Sequence, residues 1–235
     1  MCDALSDFVG RTPDVCVNRH TGLHITLATH LNTEKRRKGF AARVTRLEPG
    51  LYTLVAPSRL YDCYGNWKYD RRDRNHYCRP LREGDRSDWE RPFDTLARRA
   101  SRYCSVNLLK ASNSMRLLEV RMHHGTTEYR KIIPWIALWM QIFNRSRYSW
   151  EGEPQFGRVM PKGNSRVAWW QVEREDIFML LREEGIFLPR AFEQLLRNRR
   201  KEMRASWNRA VPQRVSKWVD VGWYSDESPA TQSAP

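Results

Sequence analysis

The sequence has no C-x-x-C pair, and its five cysteines fall irregularly at positions 2, 16, 63, 78 and 104. An odd count without pairing intervals argues against both a disulfide framework and a zinc site. Acidic residues are in deficit, with 27 Asp and Glu against 41 Lys and Arg, for a formal net charge of +14. Long apolar runs are also missing. The longest, Ile132 to Phe143, is broken by Pro134 and Gln141 and is too short to span a membrane, so no membrane partner is expected. The opening MCDALSDF carries neither a basic segment nor an apolar core, so it does not read as a secretory leader. A cytoplasmic protein without internal repeats is expected.

What is present is a chain of 235 residues, enough for one substantial core or one domain with appendages. Hydrophobic content is a modest 40%, so ten Trp carry much of the apolar area available for burial. The positive field suits polyanions such as nucleic acid, nucleotides and acidic polymers; it equally suits an enzyme of anionic substrates, or solubility alone.

Alternation marks the strands. Gly22–Thr29 is one candidate, and Ser101–Leu109 and Met115–Met122 form an expected antiparallel hairpin through 110–114. In the last strand Leu117, Glu119 and Arg121 share one face and Leu118, Val120 and Met122 the other. A carboxylate and a guanidinium two residues apart on a strand are costly to bury unless they pair or bind something. They form either a salt bridge on an open sheet face or part of a site. His123 and His124 read as loop residues rather than ligands. Cys78 and Cys104 read as small buried apolar residues.

Asn32 or Thr33 can cap a helix whose apolar stripe is Phe40, Val44, Leu47, Leu51 and Leu54, with Pro49-Gly50 expected to break it in two. The run Lys35-Arg36-Arg37-Lys38 near its start is either an anion-catching lip or a solvated turn. Residues 61–94 are polar and aperiodic, and read as a substrate loop or a surface excursion. Phe93–Ala100 is a short helix. Thr127 can cap the next helix, where Pro134 requires a kink or a restart. Beyond Pro134 that helix is apolar on nearly every face and serves as the spine of the core.

The expected fold is therefore α+β: an antiparallel sheet of 22–29, 103–109 and 115–122, backed by a helix over 128–145. The core covers 1–145, followed by a linker over 146–168, a basic helical appendage over 169–224 and a disordered tail over 225–235. The appendage holds helices near 173–184 and 188–205. On the second, Leu188, Phe192, Leu195 and Leu196 point inward, and Arg190, Arg197, Arg199, Arg200, Lys201 and Arg204 point outward.

Three blocks in order then carry a resemblance. Thr21-Gly22-Leu23-His24-Ile25-Thr26 comes first. Pro57-Ser58-Arg59, with Asn75-His76-Tyr77-Cys78-Arg79-Pro80-Leu81, follows. The third is Tyr103-Cys104-Ser105-Val106-Asn107-Leu108, with Leu118-Glu119-Val120-Arg121 and Gly125-Thr126 leading into an apolar helix. Over roughly residues 20–145 the chain resembles the phage-type amidoligase family, a branch of the carboxylate–amine ligases that includes glutamine synthetase. The resemblance implies a glutamine-synthetase-like core that uses ATP and Mg2+ to join a carboxylate and an amine through an acyl phosphate. It implies Arg121 and Arg59 as catalytic residues, Arg121, Asn107 and Tyr77 at the nucleotide, and Glu119 and His24 at the metal. Asn107 could equally serve only to satisfy backbone.

The chain departs from the family pattern in two ways. The Gly-x-Glu-x-Glu strand that opens the family has no counterpart before His24, and Thr26 stands where a second histidine is expected. His20 and His30 share the parity of His24. The expected result is a member lacking its N-terminal strand, with weak metal binding. Two other readings stand beside it: a non-catalytic remnant of the ligase fold, and a basic nucleic-acid-binding protein using the C-terminal Arg/Lys helix.

Overall fold

The computed structural model describes residues 22–28, 31–56, 59, 78–81, 86–100, 102–112, 117–146, 154 and 176–215. The fold is α+β. Strand β1 (Gly22–Ala28) is followed by helices α1 (Glu34–Tyr52), α2 (Arg86–Glu90) and α3 (Phe93–Ala100). Then come β2 (Val106–Asn107), the short α4 (Leu109–Ser112), β3 (Leu117–His124) and α5 (Tyr129–Arg145). Helices α6 (Ile177–Glu183) and α7 (Arg190–Val215) complete the described chain.

The sheet has the order β1-β3-β2 with both pairings antiparallel. Its three strands are the segments picked out by alternation, and β3 is central. Ile25 and Leu27 on β1 lie opposite Val120 and Leu118 on β3. With the buried Met122 they turn one face of the sheet into the core. The other face carries Thr26 opposite Glu119. The segment read as a strand over 103–109 is regular only at Val106–Asn107 because its hydrogen bonds are divided. Ser105 accepts from the Arg121 amide at 2.8 Å but donates its own amide to the Arg79 carbonyl at 2.7 Å.

Helix α1 begins at Thr33, whose hydroxyl accepts from the Arg36 amide at 3.3 Å and satisfies one of the open amides of the first turn. Phe40, Val44, Leu47 and Leu51 are buried along one stripe, and Leu54 is buried just past the helix. The break expected at Pro49-Gly50 is absent, and the helix runs unbroken to Tyr52. A proline costs an interior helix one hydrogen bond and a clash. Here the final turn is held by burial on all sides, with Glu48, Pro49, Gly50, Leu51 and Tyr52 all inside. Gly50 is required for a second reason: a Cβ there would lie 2.8 Å from the Ile177 side chain.

Helix α5 likewise passes through Pro134 without a restart, and its N-cap is Glu128 rather than Thr127. The Glu128 amide donates instead to the Thr126 hydroxyl at 3.2 Å. Trp135, Leu138, Trp139, Ile142 and Phe143 are buried against the sheet and α1 as part of one core. Ile177, Phe178, Leu181, Leu196 and Met203 from α6 and α7 belong to that same core. Leu188, Phe192 and Leu195 are only half-buried, and Arg199, expected to face outward, is buried at 7% exposure. Residues 147–153, 155–175 and 216–235, which include most of the linker, lie outside the described residues.

A buried ion pair joins the C-terminal helices to the rest. Arg43 Nε on α1 meets Glu184 Oε2 at 2.9 Å, and both side chains are 3% exposed. Arg43 also donates to the Ser146 hydroxyl at 2.8 Å, and Arg46 Nη1 reaches Glu184 Oε1 at 2.7 Å. Arg145 Nε donates to the Glu184 carbonyl at 2.8 Å. Gly185 follows with φ 67°, the left-handed closure of α6, where a Cβ would press on the Arg145 guanidinium at 3.1 Å.

Two substitutions test this packing by urea unfolding. Gly50→Ala is expected to cost about 1–3 kcal/mol through the clash with Ile177. Glu184→Ala is expected to cost about 3–5 kcal/mol, because it removes the carboxylate that balances the buried Arg43 charge.

Candidate functional site

Glu119 lies in the middle of the central strand, and the register sets its neighbours. Thr26 is opposite on β1 and Asn107 opposite on β2. The residue is 7% exposed, so its carboxylate needs internal partners. Oε1 meets His24 Nδ1 at 3.1 Å and Arg121 Nη1 at 3.4 Å. Oε2 accepts from Asn107 Nδ2 at 3.1 Å and meets Lys110 Nζ at 2.9 Å. Burial pushes the Glu119 carboxyl up, but bonds from Lys110 and Asn107 and the Arg121 charge outweigh it. The net result lies below the ordinary carboxylate range.

Four of the six residues singled out in the sequence are thus within contact of one another: His24, Asn107, Glu119 and Arg121. Arg59, expected at the edge, lies close by and is 3% exposed. Its Nη1 donates to Cys78 Sγ at 3.6 Å, and Cys78 Sγ contacts the Arg121 carbonyl at 3.0 Å. Gly22 lies against both side chains, since a Cβ there would come 3.1 Å from Arg59 Nη1 and 3.3 Å from His24 Nε2. Tyr77, His20 and His30 lie outside the described residues, as does the loop over 61–77.

Asn107 has a full internal role. Its side-chain oxygen accepts from the Leu109 amide at 3.1 Å, which starts α4, while its amide group holds Glu119. Sequence reasoning missed Lys110, which it placed in a connecting loop. The available signal was the three-residue step from Asn107, which one turn of helix converts into adjacency.

The electrostatic balance is uneven. Among the described residues one carboxylate, Glu119, faces Arg121 and Lys110 directly, and Arg59 lies beside His24. His24 adds no charge at neutral pH, since burial and the Arg121 guanidinium hold its pKa below 6.5 against the opposing pull of Glu119. Arg121 is also stacked toward Tyr103, 5.9 Å from the ring centroid, and its buried Nε has no hydrogen-bond partner among the described residues. Among the described residues the sheet face therefore carries surplus positive charge beside a half-exposed imidazole, an arrangement that accepts phosphate or carboxylate oxygens.

A divalent cation does not fit the same residues. Each Glu119 oxygen is already shared by two donors, and a cation there would stand against Arg121 and Lys110. Among the described residues, no three His, Cys, Asp or Glu side chains come together.

His123 and His124 are not loop residues. They end β3, because the irregularity between Leu23 and Ile25 lets pairing continue to Gly22 opposite His124. The two rings stack with centroids 4.3 Å apart, and His123 packs on Trp135 at 5.1 Å. Burial lowers the His123 pKa to about 4 and also pulls His124 down strongly.

The run from Lys35 to Lys38 is engaged locally: Arg36 bonds Asn32 at 3.1 Å, Arg37 lies 5.1 Å over the Phe93 ring, and Lys38 meets Glu34 at 3.3 Å. No helix among the described residues is long and apolar enough to cross a membrane. Comparison with known proteins gives no match: no family model fits the chain, and no curated protein or solved structure is significantly similar to it.

Two titrations follow. By NMR, the His24 ring is expected to titrate below 6.5, lower still in Glu119→Gln and higher in Arg121→Gln. For His123 the folded pKa is depressed below the unfolded 6.5, so its stabilisation is complete above pH 6.5. It is lost as pH falls toward 4, at up to about 1.4 kcal/mol per pH unit. Urea midpoints that stay flat between pH 7 and pH 5 would contradict a buried neutral ring.

Proposed function

We propose that the chain is an amidoligase, an ATP-dependent carboxylate–amine ligase, and that the sheet face around Glu119 is its phosphate-handling site. The observation that carries this reading is the concentration of Arg121, Lys110 and Arg59 around one buried carboxylate and His24. The chemistry requires phosphoryl transfer to a carboxylate and displacement of phosphate by an amine. Cationic forks that neutralise phosphate oxygens favour that transfer.

In this reading Arg121 and Lys110 bind phosphate oxygens, and Arg59 holds the guanidinium layer beneath Gly22. Glu119 keeps the cations in place rather than serving as the metal's principal ligand. The resemblance to the amidoligase family over residues 20–145 supports the reaction class. Mg2+, which that family uses, would need carboxylates beyond Glu119.

Nucleic-acid binding has less support. Three of the basic residues of α7 are engaged in ion pairs: Arg197 with Glu193 at 2.7 Å, Arg199 with Glu202 at 2.6 Å, and Arg200 with Asp176 at 3.1 Å.

Calorimetric titration of ATP into the full chain tests the site. Arg121→Ala is expected to weaken binding tenfold or more, and Lys110→Met by several-fold, since each deletes charge-assisted bonds to phosphate. ATP hydrolysis that requires both a carboxylate and an amine tests the reaction. Undiminished ATP affinity in both variants would remove the site from consideration.

A further inference from the structure

Two parts of the chain that are distant in sequence meet on one imidazole. His124 ends β3, and Arg199 Nη2 on α7 contacts its Nε2. The Ala56 amide, four residues past the end of α1, faces its Nδ1 from 3.3 Å. The ring is held in its plane by stacking on His123, with centroids 4.3 Å apart, and His123 packs on Trp135.

Both approaching groups are donors. A neutral imidazole has one N–H and one nitrogen lone pair, and burial keeps this ring neutral. The lone pair therefore serves Arg199 or Ala56 but not both, and the proton sits on the remaining nitrogen. The guanidinium contact is charge-assisted and is the closer of the two, so Arg199 holds the lone pair while α7 is docked.

Ala56 leads directly to the phosphate-handling face. Its carbonyl accepts from the Arg59 amide at 2.8 Å, so the residue that faces Nδ1 also holds the backbone of Arg59. Arg59 Nη1 then donates to Cys78 Sγ at 3.6 Å, and Cys78 Sγ contacts the Arg121 carbonyl. Gly22, which pairs with His124 across the sheet, lies against both Arg59 and His24.

We propose that His124 is a positioning residue for Arg59, and that it anchors Arg59 through Ala56 only when Arg199 gives up its lone pair. Docking of α7 and anchoring of Arg59 then oppose each other through one proton on one ring, so α7 regulates the site. This rests on the reading of the Glu119 face as a phosphate site. By linkage, whatever binds to an anchored Arg59 must also weaken the hold of Arg199 on the ring.

The test follows the His124 ring nitrogens by 15N NMR in the full chain, since a bare nitrogen and a protonated one have distinct shifts. In the wild type Nε2 is expected bare and Nδ1 protonated, with the Ala56 amide exchanging freely. Arg199→Met should reverse the two nitrogens and slow Ala56 exchange at least tenfold. A saturating non-hydrolysable ATP analogue should move the wild-type ring in the same direction. By calorimetry Arg199→Met should bind the analogue threefold or more tighter, a gain absent when His124→Phe is also present. If Arg199→Met fails to fold, the wild-type ring with and without the analogue decides. If the analogue does not bind, the phosphate reading fails, while the ring in Arg199→Met still decides whether the lone pair is contested. A bare Nδ1 in the wild type, the same tautomer in Arg199→Met, or an equal gain in the His124→Phe background would each overturn the proposal.

Discussion

The buried carboxylate of Glu119 is the constraint around which the sheet face is organised. An ionised group at 7% exposure on a central strand is tolerated only when its lone pairs are filled and its charge is opposed. Here the partners come one from each adjoining element: His24 from β1, Asn107 from β2, Lys110 from α4 and Arg121 from β3 itself. The strand order β1-β3-β2 is what brings them within reach, because any other order would leave the carboxylate short of partners on one side. Among the described residues the compensation exceeds the need. A second anion can therefore share the cations, and the structural requirement and the functional proposal rest on the same atoms.

A second buried carboxylate supports the first from below. Glu48, fully buried on α1, accepts from the Leu81 amide at 2.6 Å and from the Ser105 hydroxyl. It ties the 78–81 segment and the approach to β2 onto the helix. The Tyr52 hydroxyl donates to the Cys78 carbonyl from the same helix. Cys78 is thereby fixed between Arg59 and Arg121, so the cationic layer is positioned by polar contacts that begin in the core. The Arg43–Glu184 pair performs a comparable task on the other side, locking α6 against α1.

Much of this was legible in the sequence, and the failures share a cause. Period-two alternation located β1 and β3, and the placement of Glu119 and Arg121 on one face followed from parity, while His24 was joined to them only through the order of the family-like blocks. The apolar stripe from Phe40 to Leu54 gave α1. Local signals failed where tertiary packing overrode them. Pro49 advertises a missing amide, but not the burial that holds the last turn of α1 together. Glu48 and Arg43 look like ordinary polar positions on an amphipathic helix, because their partners are 33 or more residues away in sequence. Arg199 reads as one of a row of solvated arginines until α7 docks against His124. Lys110 was hidden because a four-residue helix carries no periodic signal.

The central claim is that the sheet face over Glu119 holds the phosphates of a nucleotide. The most direct measurement is the His24 ring pKa, followed by NMR in the full chain with and without a saturating non-hydrolysable ATP analogue. His24 is held low partly by Arg121 and lies 3.1 Å from Glu119. A phosphate bound among Arg121, Lys110 and Arg59 offsets that positive field, so the account predicts that the His24 pKa rises on binding. Saturation by the analogue with the His24 titration unchanged would place the nucleotide elsewhere and contradict the account.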